Sequence, residues 1–164
     1  MASAFRVGVG YDIHRLVDDR PLLLGGVRID HPQGLLGHSD GDVVLHAVTD
    51  ALLGAAGLPD IGDLFPDTDP AFEGADSRGL LAAAMARVQQ AGYTPNNIDL
   101  IVHAEKPKLS EHKRPIAASI AALLGLEVGE VSVKAKTNEG LGPLGHADAI
   151  ACTAMASVVR RENS

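Results

Sequence analysis

The chain has a single cysteine, no tryptophan, and only 3% aromatic residues among its 164. One cysteine rules out an internal disulfide framework and fits a reducing compartment. With so few rings, packing falls to Ala, Val, Leu and Ile within a hydrophobic content of 46%, which favours close contact of helix on sheet. Basic residues are also scarce, 14 against 21 acidic ones, for a formal charge of −7. That balance argues against nucleic acid or an anionic membrane as the main partner, so any bound anion needs a local site. No stretch reaches the ~18 apolar residues of a membrane span. MASAFRVGVGYD offers no signal-peptide core. A cytoplasmic chain with one domain, residues 1–164, is expected.

What the chain does have is concentrated in HSDGDVVLHAVTD, residues 38–50. Asp42, His46 and Asp50 are four apart, a spacing that stacks side chains along one stripe of a helix. Val43, Val44, Leu45, Ala47, Val48, Leu52 and Leu53 cover the other faces, so the helix should be buried. Ionisable groups on a buried helix are costly unless compensated, and a divalent cation would compensate them. Partners sit upstream in GYDIH, residues 10–14. Phe5 to Tyr11 reads as a strand with small residues at alternate positions, and extended geometry carried onward points Asp12 and His14 to one side. Asp12, His14 and His46 then supply one oxygen and two nitrogens, the complement of a catalytic zinc site with one open position. A chance Asp-x-His pair and a hydrogen-bonded core histidine would leave the same spacing. A structural zinc site is poorer still, since such sites favour cysteines.

Around this centre, residues 21–30 read as a small strand pair hinged at Gly25-Gly26. Residues 31–41 read as a loop, either a lid or a simple approach to the helix with Ser39 or Asp40 as N-cap. The central helix should run from about Asp42 to Ala56 and stop at Gly57. Asp60 to Asp69 holds four carboxylates in ten residues without an EF-hand pattern; it is either a solvated loop or part of a site. A helix follows at about 77–91, capped by Asp76 or Ser77, then a turn at 94–97 and a central strand at 98–104. Another helix lies within 111–124, with Pro115 in its first turn, and a strand covers 131–137. Residues 147–160 combine helix-forming alanines with β-branched residues; completion of the sheet favours a strand.

Read together, GYDIH, LLLGGVRI, the block of residues 34–70, GADSRGLL, PKL, VKAKTNEGLG and AIAC resemble the 2-C-methyl-D-erythritol 2,4-cyclodiphosphate synthase family over nearly the whole chain. The resemblance implies an α+β subunit with a four-stranded mixed sheet and helices on one face. It also implies a homotrimer packed through its sheets, with active sites between subunits. The implied reaction converts 4-diphosphocytidyl-2-C-methyl-D-erythritol 2-phosphate to the 2,4-cyclodiphosphate and CMP, a step of non-mevalonate isoprenoid biosynthesis.

By the same resemblance, Asp12, His14 and His46 hold Zn2+ or another divalent transition metal. Glu139 binds a second ion, Mg2+ or Mn2+, with the substrate diphosphate. His38 and Ser39 contact phosphate, while Asp60, Ile61, Gly62, Phe65, Pro66, Asp67, Thr68 and Asp69 wall the methylerythritol. Ala104, Glu105, Lys106, Pro107, Lys108, Leu109 and Ser110, with Ala135, Lys136, Thr137, Asn138 and Glu139, form the cytidine diphosphate pocket. His38 and Thr137 are implied to stabilise the transition state. Pro143 and His146 stand where many relatives carry a phenylalanine and an arginine lining the trimer's central cavity. Loss of a bidentate guanidinium argues against isoprenoid diphosphate binding there. Two other readings compete: a zinc phosphohydrolase whose open position activates water, and a non-catalytic trimeric metal- or prenyl-diphosphate-binding module. Cyclic product without free phosphate separates the first from both.

Overall fold

The structure, a computed structural model, describes residues 5–161. Strand β1 spans Phe5–Asp18, well past the stretch marked in the sequence. Its alternation divides two environments. Gly8, Gly10, Asp12 and His14 face one side, whereas Val7, Val9, Tyr11 and Ile13 face the other and are 59%, 64%, 55% and 44% exposed. Helix α1 (Val43–Ala56) lies on the glycine side, with eleven of its fourteen residues buried, as its all-round apolar sequence predicts. A Cβ at Gly8 would stand 2.1 Å from the Ala51 carbonyl oxygen, and one at Gly10 would stand 2.0 Å from that of Ala47. Hydrogen is the only side chain that fits. Gly57, at φ 74°, ends the helix as expected.

The chain continues from β1 through β2 (Leu22–Leu24), β3 (Val27–Ile29) and β4 (Gln33–Leu35), and later supplies β5 (Tyr93–His103), β6 (Val131–Lys136) and β7 (Ala149–Arg160). The main sheet has the order β4-β1-β7-β5-β6, with β2 and β3 forming a separate hairpin. β5 and β6 run parallel and the other neighbours antiparallel. The fold is therefore α+β with a mixed sheet, but of five strands rather than the four expected. The additional strand, β4, falls inside the segment expected as loop. Because β1 is longer than predicted, its Leu16–Asp18 end has an open edge, and Gln33–Leu35 pairs with it.

Two further expectations need correction. Residues 94–97 belong to β5 and are not a turn. Proline cannot donate to a ladder, and the strand absorbs it with a register shift between Pro95 and Asn97. The N-cap of α1 is Asp42, neither Ser39 nor Asp40. Its fully buried carboxylate accepts from Leu45 N–H (3.0 Å) and from Gly25 and Gly26 N–H (2.9 and 2.7 Å). It thus turns away from the His46 stripe and clamps the β2–β3 turn, where both glycines have positive φ. Burial raises its pKa while the three N–H groups oppose that rise.

α3 (Ser77–Gln90) packs against α1, and α4 (Lys113–Leu124) against β6, with most of their buried residues in one continuous core. The short helix α2 (Ile61–Leu64) packs against α1, and α5 (Gly142–Gly145) against β7. Residues 149–160 form the strand that sheet completion favoured, and it fills the centre of the sheet. Among the described residues, no helix is long and apolar enough to cross a membrane.

The β1–α1 contact yields a test. Gly10→Ala forces a methyl group into the α1 backbone, so urea unfolding should show a loss of about 3 kcal/mol or more, the upper end of overpacking costs. The same substitution at Gly129, where an added Cβ meets nothing within 4 Å, should be near neutral.

Candidate metal centre and flanking cavities

Because β1 and α1 touch through glycines, the first turn of the helix sits over the Asp12–His14 segment of the strand. Asp12 Oδ2 lies 2.8 Å from His14 Nε2 and 3.0 Å from His46 Nδ1, and the two nitrogens are 3.3 Å apart. Ligands held about 2.0–2.1 Å from a tetrahedral zinc stand roughly 3.3 Å from each other. The observed triangle is that size or slightly smaller. Each of the three residues can offer one ligand atom to a common ion.

Proton placement supports the fit. His14 Nδ1 is 2.6 Å from the Leu36 carbonyl, which can only accept, so Nδ1 carries the hydrogen and Nε2 turns its lone pair inward. A bare nitrogen against a carboxylate at 2.8 Å is repulsive unless a cation, proton or metal, lies between. Burial lowers the His14 pKa, but the Asp12 carboxylate outweighs it and raises the value above the usual 6.5. Burial likewise works to raise Asp12, yet hydrogen bonds from His14 and His46 hold it down at about 2. The donor set and its spacing therefore fit a zinc-like ion.

The triad opens into a cavity of about 380 Å³, lined also by Gly37, His38, Ser39, Asp50, Ile61, Gly62, Phe65, Asp67, Phe72 and Leu80. Asp50 accepts the Ile61 N–H at 2.8 Å, positioning the start of α2 at the wall. Its burial and the nearby Asp60 and Asp12 charges raise its pKa. Phe65 meets Phe72 edge-on at 5.3 Å, closing the apolar side. His38 Nε2 lies 3.2 Å from the Asp69 carbonyl. The loop carrying His38 and Ser39 is tied down by Arg20, which donates to the Gly37 and Ser39 carbonyls, and by Gly74 N–H on His38.

A second cavity, about 180 Å³, lies between the β5–α4 connection and the end of β6. Ala104, Glu105, Pro107, Lys108, Leu109, Ser110, Lys113, Ala135, Lys136 and Thr137 line it. Glu105 accepts Asn138 N–H at 3.1 Å, and Thr137 Oγ1 donates to Glu139 at 3.1 Å, so the two loops form one unit. The cavities share no lining residue.

Residues 5–159 match the YgbB family. The chain belongs to that family. It is 59% identical over 161 residues to 2-C-methyl-D-erythritol 2,4-cyclodiphosphate synthase of Bordetella avium, covering 98% of this chain and 99% of that one. The bifunctional IspDF from Campylobacter jejuni superimposes with a TM-score of 0.92 at 43% identity, over 96% of this chain and 43% of that longer one. IspF of Plasmodium falciparum, solved as a CDP complex, gives a TM-score of 0.84 at 35% identity, covering 99% and 100%.

In this YgbB-family chain, the sequence-derived residues fall into two groups. Asp12, His14, His38, Ser39, His46, Ile61, Gly62, Phe65 and Asp67 share the first cavity; Asp60, Pro66, Thr68 and Asp69 are in the same loop without lining it. The cytidine set shares the second cavity, except that Lys106, Asn138 and Glu139 stand just outside its lining. Pro143 and His146 lie in and after α5 and line neither cavity. Sequence reasoning missed Gly37, Asp50, Phe72 and Leu80 in the first cavity and Lys113 in the second. Asp50 had a signal, its place four residues beyond His46; Phe72 and Lys113 gain their positions only through tertiary folding.

Proton competition gives a pH test. Metal ligands must be deprotonated, and His14 is raised above 6.5. Zinc affinity measured by chelator competition should therefore begin to fall, as pH is lowered, above pH 6.5. The His14–Asp12 pair should add stability to the metal-free chain below that range and lose it as pH rises through the raised value.

Proposed function

We propose that residues 1–164 form one cyclodiphosphate synthase domain that converts 4-diphosphocytidyl-2-C-methyl-D-erythritol 2-phosphate to 2-C-methyl-D-erythritol 2,4-cyclodiphosphate and CMP. The observation that carries this reading is the Asp12–His14–His46 triangle at the floor of a cavity, in a chain 59% identical to a synthase of that name. The CDP complex of the P. falciparum relative supports a cytidine nucleotide as ligand.

In this reaction an oxygen of the 2-phosphate forms a bond to the β-phosphorus, the bond from the β-phosphorus to the bridging oxygen breaks, and CMP leaves with that electron pair. The nucleophile is already an anion, so no general base is needed. The residues have to fold a flexible polyanion into line and offset its charge. Asp12, His14 and His46 would hold the transition-metal ion, which when bound supplies positive charge against phosphoryl oxygens. His38 and Ser39, on the same cavity wall, are assigned to the phosphates. The segments from Asp60 to Gly62 and from Phe65 to Asp69 enclose the sugar-derived chain. Lys106, Lys108 and Lys136, with the Thr137 hydroxyl, face the nucleotide diphosphate. Glu139, beside Thr137, is assigned to Mg2+ or Mn2+. His38 and Thr137 act on the transition state from opposite ends.

A single substrate must reach both cavities, yet within one chain they are separate. This supports a homotrimer in which the second cavity of one subunit completes the first of its neighbour. The outward sheet face supports it as well: Val7, Val9, Tyr11, Ile13 and Met155 form an exposed apolar patch of the kind that marks an interface. Helices cover the other face. The chemistry fits a cytoplasmic site of action.

Three outcomes are expected. His46→Ala should lower CMP formation at least about a thousandfold, equivalent to several kcal/mol of charge stabilisation, while the trimer persists in sedimentation; retained zinc and activity would refute the assignment. Wild-type product analysis should show cyclic diphosphate and CMP with no free phosphate. Val9→Asp, which places a charge in the apolar patch, should shift sedimentation from trimer toward monomer and abolish turnover with it.

A further inference from the structure

His46 is held from behind as well as in front. Its Nε2, the nitrogen facing away from Asp12, lies 2.8 Å from Ser77 Oγ and 3.1 Å from Ser39 Oγ. Ser77 is 1% exposed, at the start of α3. Its hydroxyl is hydrogen-bonded to Asp40 Oδ1, and its backbone N–H donates to Asp40 Oδ2 at 2.9 Å. Asp40 Oδ1 also accepts Asp42 N–H at 3.0 Å.

With a cation in the triad to take up the Nδ1 lone pair that faces Asp12, these contacts leave one arrangement of hydrogens. A carboxylate only accepts, so the one hydroxyl hydrogen of Ser77 points to Asp40. Ser77 Oγ can then only accept from His46, and Nε2 must carry the imidazole hydrogen. Nδ1 is left with its lone pair aimed at Asp12 Oδ2 and His14 Nε2. Ser39 is affected too. With a hydrogen already on Nε2, its hydroxyl cannot donate there and is directed to the cavity it lines, where a phosphoryl oxygen would need a donor.

We propose that Asp40, acting through Ser77, is the positioning residue that locks His46 in its metal-binding tautomer and orients the Ser39 hydroxyl toward substrate. His14 gets the equivalent service from the Leu36 carbonyl, so both imidazoles are preset by neighbours from outside the triad. The inference deepens the metal reading above and rests on it. Partners of this kind are typically worth 10–100-fold in metal affinity or activity.

Imidazole 15N shifts of the metal-free full-length Asp12→Ala chain, in which no carboxylate faces His46 Nδ1, read the tautomer directly at alkaline pH, where imidazoles are neutral. His46 should there be the Nε2–H form, and adding Asp40→Ala should release it to a mixture. In Asp40→Asn the amide cannot accept at both oxygen positions, so one Ser77 donor loses its partner and the lock weakens. Zinc affinity by chelator competition should fall about 10–100-fold in Asp40→Ala, whereas Ser77→Thr, which keeps the hydroxyl, should retain wild-type affinity and tautomer. A purely structural role would lower thermal stability and leave the 15N shifts unmoved. His46 of the Asp12→Ala chain in the Nδ1–H form, or Asp40→Ala with wild-type zinc affinity, would overturn the proposal. A wild-type chain that binds no zinc, with the Nε2–H form in the Asp12→Ala chain, would instead sink the metal reading and, with it, the purpose assigned to the lock.

Discussion

Where α1 crosses β1, the strand presents hydrogen atoms instead of side chains. Carbonyl oxygens of the helix backbone lie about 2 Å from where the β-carbons of Gly8 and Gly10 would be, so strand and helix are as close as two backbones can pack. That closeness sets the reach of everything around it. Two residues further along the same strand face come Asp12 and His14, and the first turn of the helix carries His46. A side chain at either glycine would move the helix outward and open the triangle, whose edges now measure 2.8, 3.0 and 3.3 Å.

The rest of the fold stiffens this junction. Asp42 spends a fully buried carboxylate on the N-terminus of α1 and the β2–β3 turn. Leu36 and Asp40, both from the approach to α1, fix the two imidazoles from behind, directly and through Ser77. One short stretch of chain therefore supplies the ligand, its cap and the restraints on its proton. A site that must contract a polyanion into one geometry gains from such rigidity, because little is left to reorganise as charge develops. On the opposite face of the sheet, the β1 side is of another kind: Val7, Val9, Tyr11 and Ile13, with Met155, leave it apolar and exposed.

Much of this was legible in the sequence because it depends on short-range pattern. Alternate small residues in β1, the all-apolar α1 and the glycine at its end each follow from spacing and backbone preference. The Asp-x-His pair and His46 could be joined because strand and helix periods both point their side chains predictably. What remained hidden depends on pairing partners. β4 is a strand only because β1 overruns its apparent end, and 94–97 is a strand only because β7 holds it despite Pro95. Asp42 looked like a member of the metal stripe, but the N-cap position turns its side chain back toward the preceding loop. Phe72 and Lys113 reach their cavities through folding that no local motif records.

The central claim is that Asp12, His14 and His46 converge on a single cation, and X-ray absorption on the zinc-loaded protein tests it most directly. The account predicts a first shell of nitrogen and oxygen at about 2.0–2.2 Å with the outer-shell scattering of two imidazoles and no sulfur near 2.3 Å. A shell with one imidazole or none, or with a thiolate from Cys152, would contradict it.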